Sequence, residues 1–270
     1  MTMKRFTKLL VTCFVALLLC GFGGVTANAQ TINESEPNDS KETAQTISAN
    51  RETAAGCVSG SHTGQYVVEG TTSINDSDWY RVYLSAGTQY VTCNGSAFEF
   101  YIYNADGRLF DNATYNKPGF GASAYEFTVS SAGYYYVEVI GLSSSSVSYK
   151  IAVGGPTYTL DDYTVSLGKA TFDYEDLYAE LPFENFSFPD DAIAYTISIN
   201  GVSSSSTNGV TITNSRSSSK ISMSASNLTK TGLVYSNMPM CATWEVKFKY
   251  KKSTTISPRI TFYYVYPITF

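Results

Sequence analysis

The feature that most constrains this chain is a period of two. Trp79 to Leu84, Gln89 to Cys93, Phe98 to Tyr103, Tyr125 to Val129, Tyr134 to Ile140 and Ser148 to Val153 are short β-branched or aromatic runs, the mark of half-buried strands. Between them lie Ser85 to Thr88, Asn104 to Gly107, Ser130 to Gly133 and Gly141 to Ser144. These are turn chemistries, in which Gly supplies positive φ and Asn or Asp bonds its own backbone. Short strands at such spacing predict an antiparallel sandwich or barrel. The one helical signal is about a turn around Ser40 to Thr46.

The strand pattern stops at Gly154-Gly155-Pro156, a strong punctuation, and then resumes. Tyr158 to Leu167, Ala192 to Ile199, Gly209 to Thr213, Lys220 to Ser224, Thr243 to Tyr250 and Arg259 to Tyr266 have the same character. Asn200-Gly201 directly after a strand reads as a hairpin signal. The expectation is an all-β protein: two antiparallel β-sandwich-like domains in tandem, residues 30–153 and 154–270, after a cleaved signal peptide at 1–29. Each domain has the usual size.

The signal reading rests on Lys4, Arg5 and Lys8, an apolar run from Leu9 to Phe22, and Ala27-Asn28-Ala29 at the cleavage position. That run, about 14 residues, is short of the roughly 20 that a spanning helix needs. An exported chain without a transmembrane segment is therefore expected, extracellular or associated with the cell surface. Removing the leader takes three of 18 basic residues and leaves 15 against 23 acidic ones, moving the net charge from -5 to -8. Such an acidic chain without a basic stripe is a poor partner for nucleic acid. Charge also differs between the halves: residues 30–153 carry 13 acids and six bases, residues 154–270 ten and nine.

Outside the leader stand Cys57, Cys93 and Cys241. Cys57 and Cys93, both in strand-like segments of one half, are the only plausible disulfide; three buried thiols are the alternative. The 22 Tyr, 15 Phe and 2 Trp supply ample area for two cores.

One ordered set of motifs is more specific. Glu34-Ser-Glu-Pro-Asn-Asp39, strand-like Gly56 to Val58, Asp76-Ser-Asp-Trp-Tyr80, Ser85 to Gly87, Ile102 to Gly107 and Ala132-Gly-Tyr-Tyr-Tyr-Val-Glu-Val139 follow one another. Together, over residues 34–153, they resemble the bacterial pre-peptidase C-terminal domain, a β-sandwich related to the collagen-binding domains of clostridial collagenases. In that family the module usually trails a secreted peptidase. The resemblance implies a Ca²⁺ site, with Glu34, Glu36, Asn38, Asp39 and Asp78 in the ligand positions. Where the clostridial relatives place a further acid, this chain has Asn75, with Asp76 beside it. Oxygen-rich side chains packed so closely suit Ca²⁺, which takes about six to eight oxygens in irregular geometry. The competing reading is a helix N-terminus capped by Asn38 or Asp39.

Tyrosines in alternating strands serve either as core or as a flat, amphipathic surface for a ligand. Tyr80, Tyr134 and Tyr136 are the residues expected on such a surface. For catalysis the chain offers one histidine, His62, in a loop composition, with no Gly-x-Ser-x-Gly elbow, His-Glu-x-x-His motif or phosphate-cradling Gly-rich loop. Paired carboxylates remain, from Asp173, Glu175, Asp176, Glu180, Glu184, Asp190 and Asp191, which glycosidases could use without histidine. A dense acidic stretch is more often a solvated loop. The function expected is therefore non-enzymatic: a secreted calcium-binding adhesion or recognition protein for an extracellular polysaccharide or protein surface. The alternatives are a hydrolase or its accessory subunit, and a structural envelope component.

Overall fold

The computed structural model describes residues 29–116, 121–172, 176–183, 186–217 and 219–269. Residues 1–28, on which the signal-peptide reading falls, lie outside them. The chain divides into two compact units, residues 29–159 with 267–269, and residues 160–266.

Among the described residues, ten strands build the first unit. They are β1 (Gln30–Asn33), β2 (Gln45–Ile47), β3 (Tyr66–Thr72), β4 (Ser77–Leu84), β5 (Gly87–Gly95), β6 (Phe98–Tyr103), β7 (Leu109–Tyr115), β8 (Ser123–Val129), β9 (Gly133–Gly141) and β10 (Val147–Gly154). They form two sheets, in the orders β1-β3-β10-β5-β8 and β2-β4-β9-β6-β7. The core lies between them: Val91, Cys93, Tyr149 and Ile151 from the first sheet meet Tyr80, Val82, Phe98, Phe100 and Val137 from the second. Alternation sets this directly. In β4 the even-numbered residues Asp78 to Leu84 are buried, and Trp79, Arg81 and Tyr83 face outward.

The all-β, sandwich-like expectation holds: the sheets of the first unit are antiparallel except at two edge pairings, β1 with β3 and β2 with β4, which are parallel. Other expectations need correction. Ser40 to Thr43 is a turn closed by the Thr43 amide donating to Ser40 O at 3.1 Å, and Gln45 onward is strand. The one α-helix described, α1, is Ala54–Ser59, so Cys57 is helical and not in a strand. Thr53 caps it by accepting the Gly56 amide, and Gly60, with φ of 69°, ends it. Cys57 and Cys93 are both buried thiols without a disulfide between them.

Residues 154–157 stay with the first unit. The Asn50 side-chain Nδ2 donates to Gly155 O at 2.8 Å and to Pro156 O at 2.9 Å, and the Ile268 backbone amide donates to Thr157 O at 2.7 Å.

Among the described residues, the second unit contains β11 (Tyr158–Ser166), β12 (Ala170–Phe172), β13 (Leu177–Pro182), β14 (Ile193–Asn200), β15 (Thr207–Asn214), β16 (Lys220–Ser224), β17 (Thr229–Lys230), β18 (Met238–Pro239), β19 (Thr243–Tyr250), β20 (Thr254–Ile256) and β21 (Arg259–Pro267), apart from Tyr158, Thr159 and Pro267, which belong to the first unit. One sheet runs β11-β21-β14-β17, with β18 also on β14; the other runs β13-β19-β15-β16, and β12 pairs β20. Trp244, Val246 and Phe248 of β19 pack with Ile197, Ile260 and Phe262 of the facing sheet. Asn200-Gly201 makes no two-residue hairpin, because β14 and β15 belong to different sheets. Gly201, with φ of 74°, passes so close to Ser257 that a Cβ would lie 2.0 Å from its carbonyl oxygen.

Candidate metal centre and aromatic face

The segment from Glu34 to Gln45 crosses from β1, on the edge of one sheet, to β2, on the edge of the other. It is tied down at several points. The Glu34 amide continues the ladder to Glu69 O at 2.9 Å, and Glu34 Oε2 accepts the Thr71 amide at 2.8 Å. Gln45 accepts from the Ser35 amide and donates to Asn33 O. The Trp79 amide donates to Asn38 O at 2.9 Å, which fastens the segment to β4.

Four of the five expected metal ligands fall into two overlapping groups. Glu34, Glu36 and Asp78 each place one carboxylate oxygen within 4.8 Å of the others; Glu36 and Asp39 do the same with Asp76. Asp76 thus supplies an acid beside the position where Asn75 lacks one, a role visible in sequence only as its adjacency. The fifth, Asn38, is fully buried, with its side-chain oxygen 2.9 and 3.2 Å from the two Glu36 oxygens. Turned over, the same amide would donate to both. No helix begins here, so the capping alternative for Asn38 and Asp39 does not apply.

Asp78 is the decisive group. It is 0% exposed, at the end of the inward row of β4, and its Oδ2, like Glu34 Oε1, is buried without a donor. Burial, followed by the neighbouring Glu34 carboxylate, pushes Asp78 up to about 9. Asp76 is raised as well, by burial and then by Glu34 and Asp39. Beneath them the Tyr80 and Tyr149 hydroxyls are hydrogen-bonded to each other, and burial raises both phenols. Tyr149 stands directly opposite Gly70, where a Cβ would lie 2.6 Å from the Tyr149 hydroxyl and 2.9 Å from Glu34 Oε2. Glycine is what lets ring and carboxylate close over β3.

This donor set fits Ca²⁺. Its members are oxygens alone, two of them buried atoms without a hydrogen-bond partner, and clustered carboxylates repel one another unless a cation, or in the metal-free chain a proton on Asp78, intervenes.

Of the three tyrosines expected on a ligand surface, Tyr80 is excluded: it is 0% exposed and part of the core. Tyr134 is 41% exposed and Tyr136 half-buried. Both lie on the outer face of the sheet β2-β4-β9-β6-β7, where Tyr83 opposes Tyr134, Arg81 opposes Tyr136, and Trp79 opposes Glu138. Trp79 stacks on Tyr103 at 5.0 Å, Arg81 lies 3.7 Å from the Tyr134 ring centroid, and Lys41 lies 4.9 Å from that of Tyr136. Glu138 accepts from Ser77 and Tyr103, both at 2.7 Å. Sequence alternation could have found Tyr83 and Trp79; their junction with Tyr103 depends on β9 lying between β4 and β6.

Asp173, Glu175 and Glu184 of the acidic stretch lie outside the described residues. Asp176 pairs with Lys247 at 2.8 Å, and exposed Glu180 stands opposite exposed Glu245 on the outer face of β19.

No protein-family model matches this chain, and no curated protein matches it. Among solved structures, a candidate secreted protein from Eubacterium rectale is similar over 87% of this chain and 86% of its own, with a TM-score of 0.50 and 12% identity. That likeness supports the all-β fold. The pre-peptidase C-terminal domain of a collagenase from Bacillus anthracis aligns with 41% of this chain and 93% of its own, at 14% identity and a TM-score of 0.30. The major capsid protein P2 of bacteriophage PM2 aligns with 73% of this chain and 97% of its own, at 10% identity and a TM-score of 0.28. No described helix is long and apolar enough to cross a membrane.

Proposed function

We propose that this chain is an exported, non-catalytic protein whose first unit binds Ca²⁺ and attaches to an extracellular polymer or surface partner. The observation that carries the calcium reading is the buried Asp78, whose Oδ2 lacks a donor beside the equally unsatisfied Glu34 Oε1. Glu34, Glu36 and Asp78 would hold the ion, with Asp39 and Asp76 as the outer acids, and Asn38 would join them only with its amide oxygen, rather than its nitrogen, toward Glu36. The ion would supply positive charge that offsets the desolvation and mutual repulsion of these carboxylates. Glu34 would then anchor the crossing segment to β3, and Asp78 would anchor it to β4.

The attachment reading draws on the outer aromatic face. Tyr83 and Tyr134 meet edge to face at 5.3 Å, and cationic side chains flank the rings. Flat amphipathic rings already packed against neighbours lose little freedom on binding.

Calorimetric titration of Ca²⁺ tests the first part: a saturable heat and a raised melting temperature are expected, and neither appearing would defeat it. Retention on insoluble polysaccharides and on collagen, with and without a chelator, tests the second. Loss of retention in Tyr134→Ala is expected; failure to bind any of these solids would defeat the attachment reading.

A further inference from the structure

A second cluster lies apart from the carboxylate centre, around α1. Glu52, Cys57 and His62 each place one ligand atom within 4.8 Å of the others. Their donors are an oxygen, a sulfur and a nitrogen. That mixture is wrong for Ca²⁺, which takes hard oxygens, and right for Zn²⁺ and its neighbours, which take thiolate, imidazole and carboxylate together.

The surroundings hold the three groups in place. The Glu52 side chain is 0% exposed and that of His62 22%. Glu52 Oε1 is 2.6 Å from His62 Nδ1, and Glu52 Oε2 accepts from Gln65 Nε2 at 3.2 Å and from the Tyr158 amide at 3.1 Å. Donors behind a carboxylate fix its orientation toward whatever it binds. Cys57 is buried on α1, whose Gly56 carbonyl accepts the His62 amide at 3.1 Å. His62 itself has φ of 43°, a left-handed conformation that non-glycine residues keep only where the structure insists on it. Its loop is clamped by reciprocal contacts: the Arg51 amide donates to Gly64 O at 2.8 Å, and a Cβ on Gly64 would lie 2.7 Å from Arg51 O.

We infer that Glu52, Cys57 and His62 form a second cation site that takes a zinc-class divalent ion through one oxygen, one sulfur and one nitrogen, leaving its fourth position open. An ion with bonds of about 2 Å to imidazole and carboxylate separates those atoms by roughly 3.3 Å in tetrahedral geometry. The Nδ1 to Oε1 contact must therefore open from 2.6 Å, a movement that the partly exposed His62 ring allows. Thiolate and neutral imidazole are the binding forms, so acid releases the ion.

Cobalt(II) reports this site directly. It is titrated into protein purified after export, with Ca²⁺ in excess to occupy oxygen-only sites. A thiolate-to-cobalt charge-transfer band saturating at one equivalent, and displaced by Zn²⁺, is expected. Cys57→Ser should abolish the band. His62→Asn, which tolerates the left-handed backbone, should weaken cobalt binding by at least about ten-fold and decides the matter if Cys57→Ser fails to fold. No charge-transfer band in the parent protein, or a band unchanged in either variant, overturns the proposal.

Discussion

The two units solve the same packing problem with different interiors. The second fills its centre with large apolar groups, Trp244, Phe183, Phe248 and Phe262 among its most buried, and Trp244 meets Phe262 at 4.9 Å while its indole N–H donates to Met240 O at 3.2 Å. The first buries comparable aromatics but admits a carboxylate, Asp78, and two facing phenols to the end of its core. Strand alternation accounts for both interiors equally. It does not account for the buried acid, which burial penalises and which an apolar residue of similar size would replace at a gain in stability. The buried acid is thus the main polar departure from alternation, and it lies in the first unit.

Breaking the apolar interior gives the largest expected effect. Trp244→Ala should destabilise the second unit by about 3 to 5 kcal/mol, a loss that Ca²⁺ does not restore, as measured by denaturant unfolding with and without the ion. Next is the polar interior. In the parent protein Ca²⁺ at about 100 times its dissociation constant should add about 2.7 kcal/mol; Asp78→Asn should be more stable than the parent without metal and should show no calcium shift in melting temperature. If Asp78→Asn keeps the full shift, Asp78 is not a ligand.

The same residue gives the pH dependence its sign. Because Asp78 is pushed up to about 9 in the folded chain from an ordinary 3.8, the folded state holds a proton that the unfolded state releases between those values. Its contribution is complete below about 4 and declines as pH rises toward about 9. Metal-free protein should therefore lose stability across that window, and saturating Ca²⁺ should flatten the decline while releasing a proton on binding. Chemical denaturation at a series of pH values, with calorimetry in buffers of different ionisation enthalpy, measures both.

Smaller effects sharpen the contrast further. Gly70→Ala should cost about 1 to 3 kcal/mol, by overpacking against the Tyr149 ring, and should weaken calcium binding through Glu34. Tyr134→Ala, on an exposed face, should change stability by no more than about 0.5 kcal/mol yet lower retention on a polymer support.

The sequence announced strands far better than partnerships. Trp79 to Leu84 and Tyr134 to Ile140 are legible because each buries one face and exposes the other. β7 escaped notice because its residues from Leu109 to Asn112 are all exposed, so no alternation is written into it. Asn200-Gly201 misled for another reason: the glycine serves a close approach to Ser257, far away in sequence, and local turn chemistry cannot distinguish the two uses. At the site, Glu34, Glu36, Asn38, Asp39 and Asp78 came from the likeness to a known module. Gly70 and Tyr149 were invisible because their roles arise from cross-strand register. The Glu52, Cys57 and His62 group was equally hidden, since a helix stands where the residues around Cys57 read as strand.

The parallel edge strands have a consequence for two of the first unit's four sheet edges. β1 has four residues and β2 three, and each ends one side of its sheet, while β8 and β7, of seven residues each, end the other. A strand that short offers too few open amides and carbonyls to template a neighbour's backbone. By laying these stubs over the longer β3 and β4, residues 30–47 shorten the backbone that two of the four sheet edges offer to a neighbouring chain, and leave β7 and β8 as the longer edges.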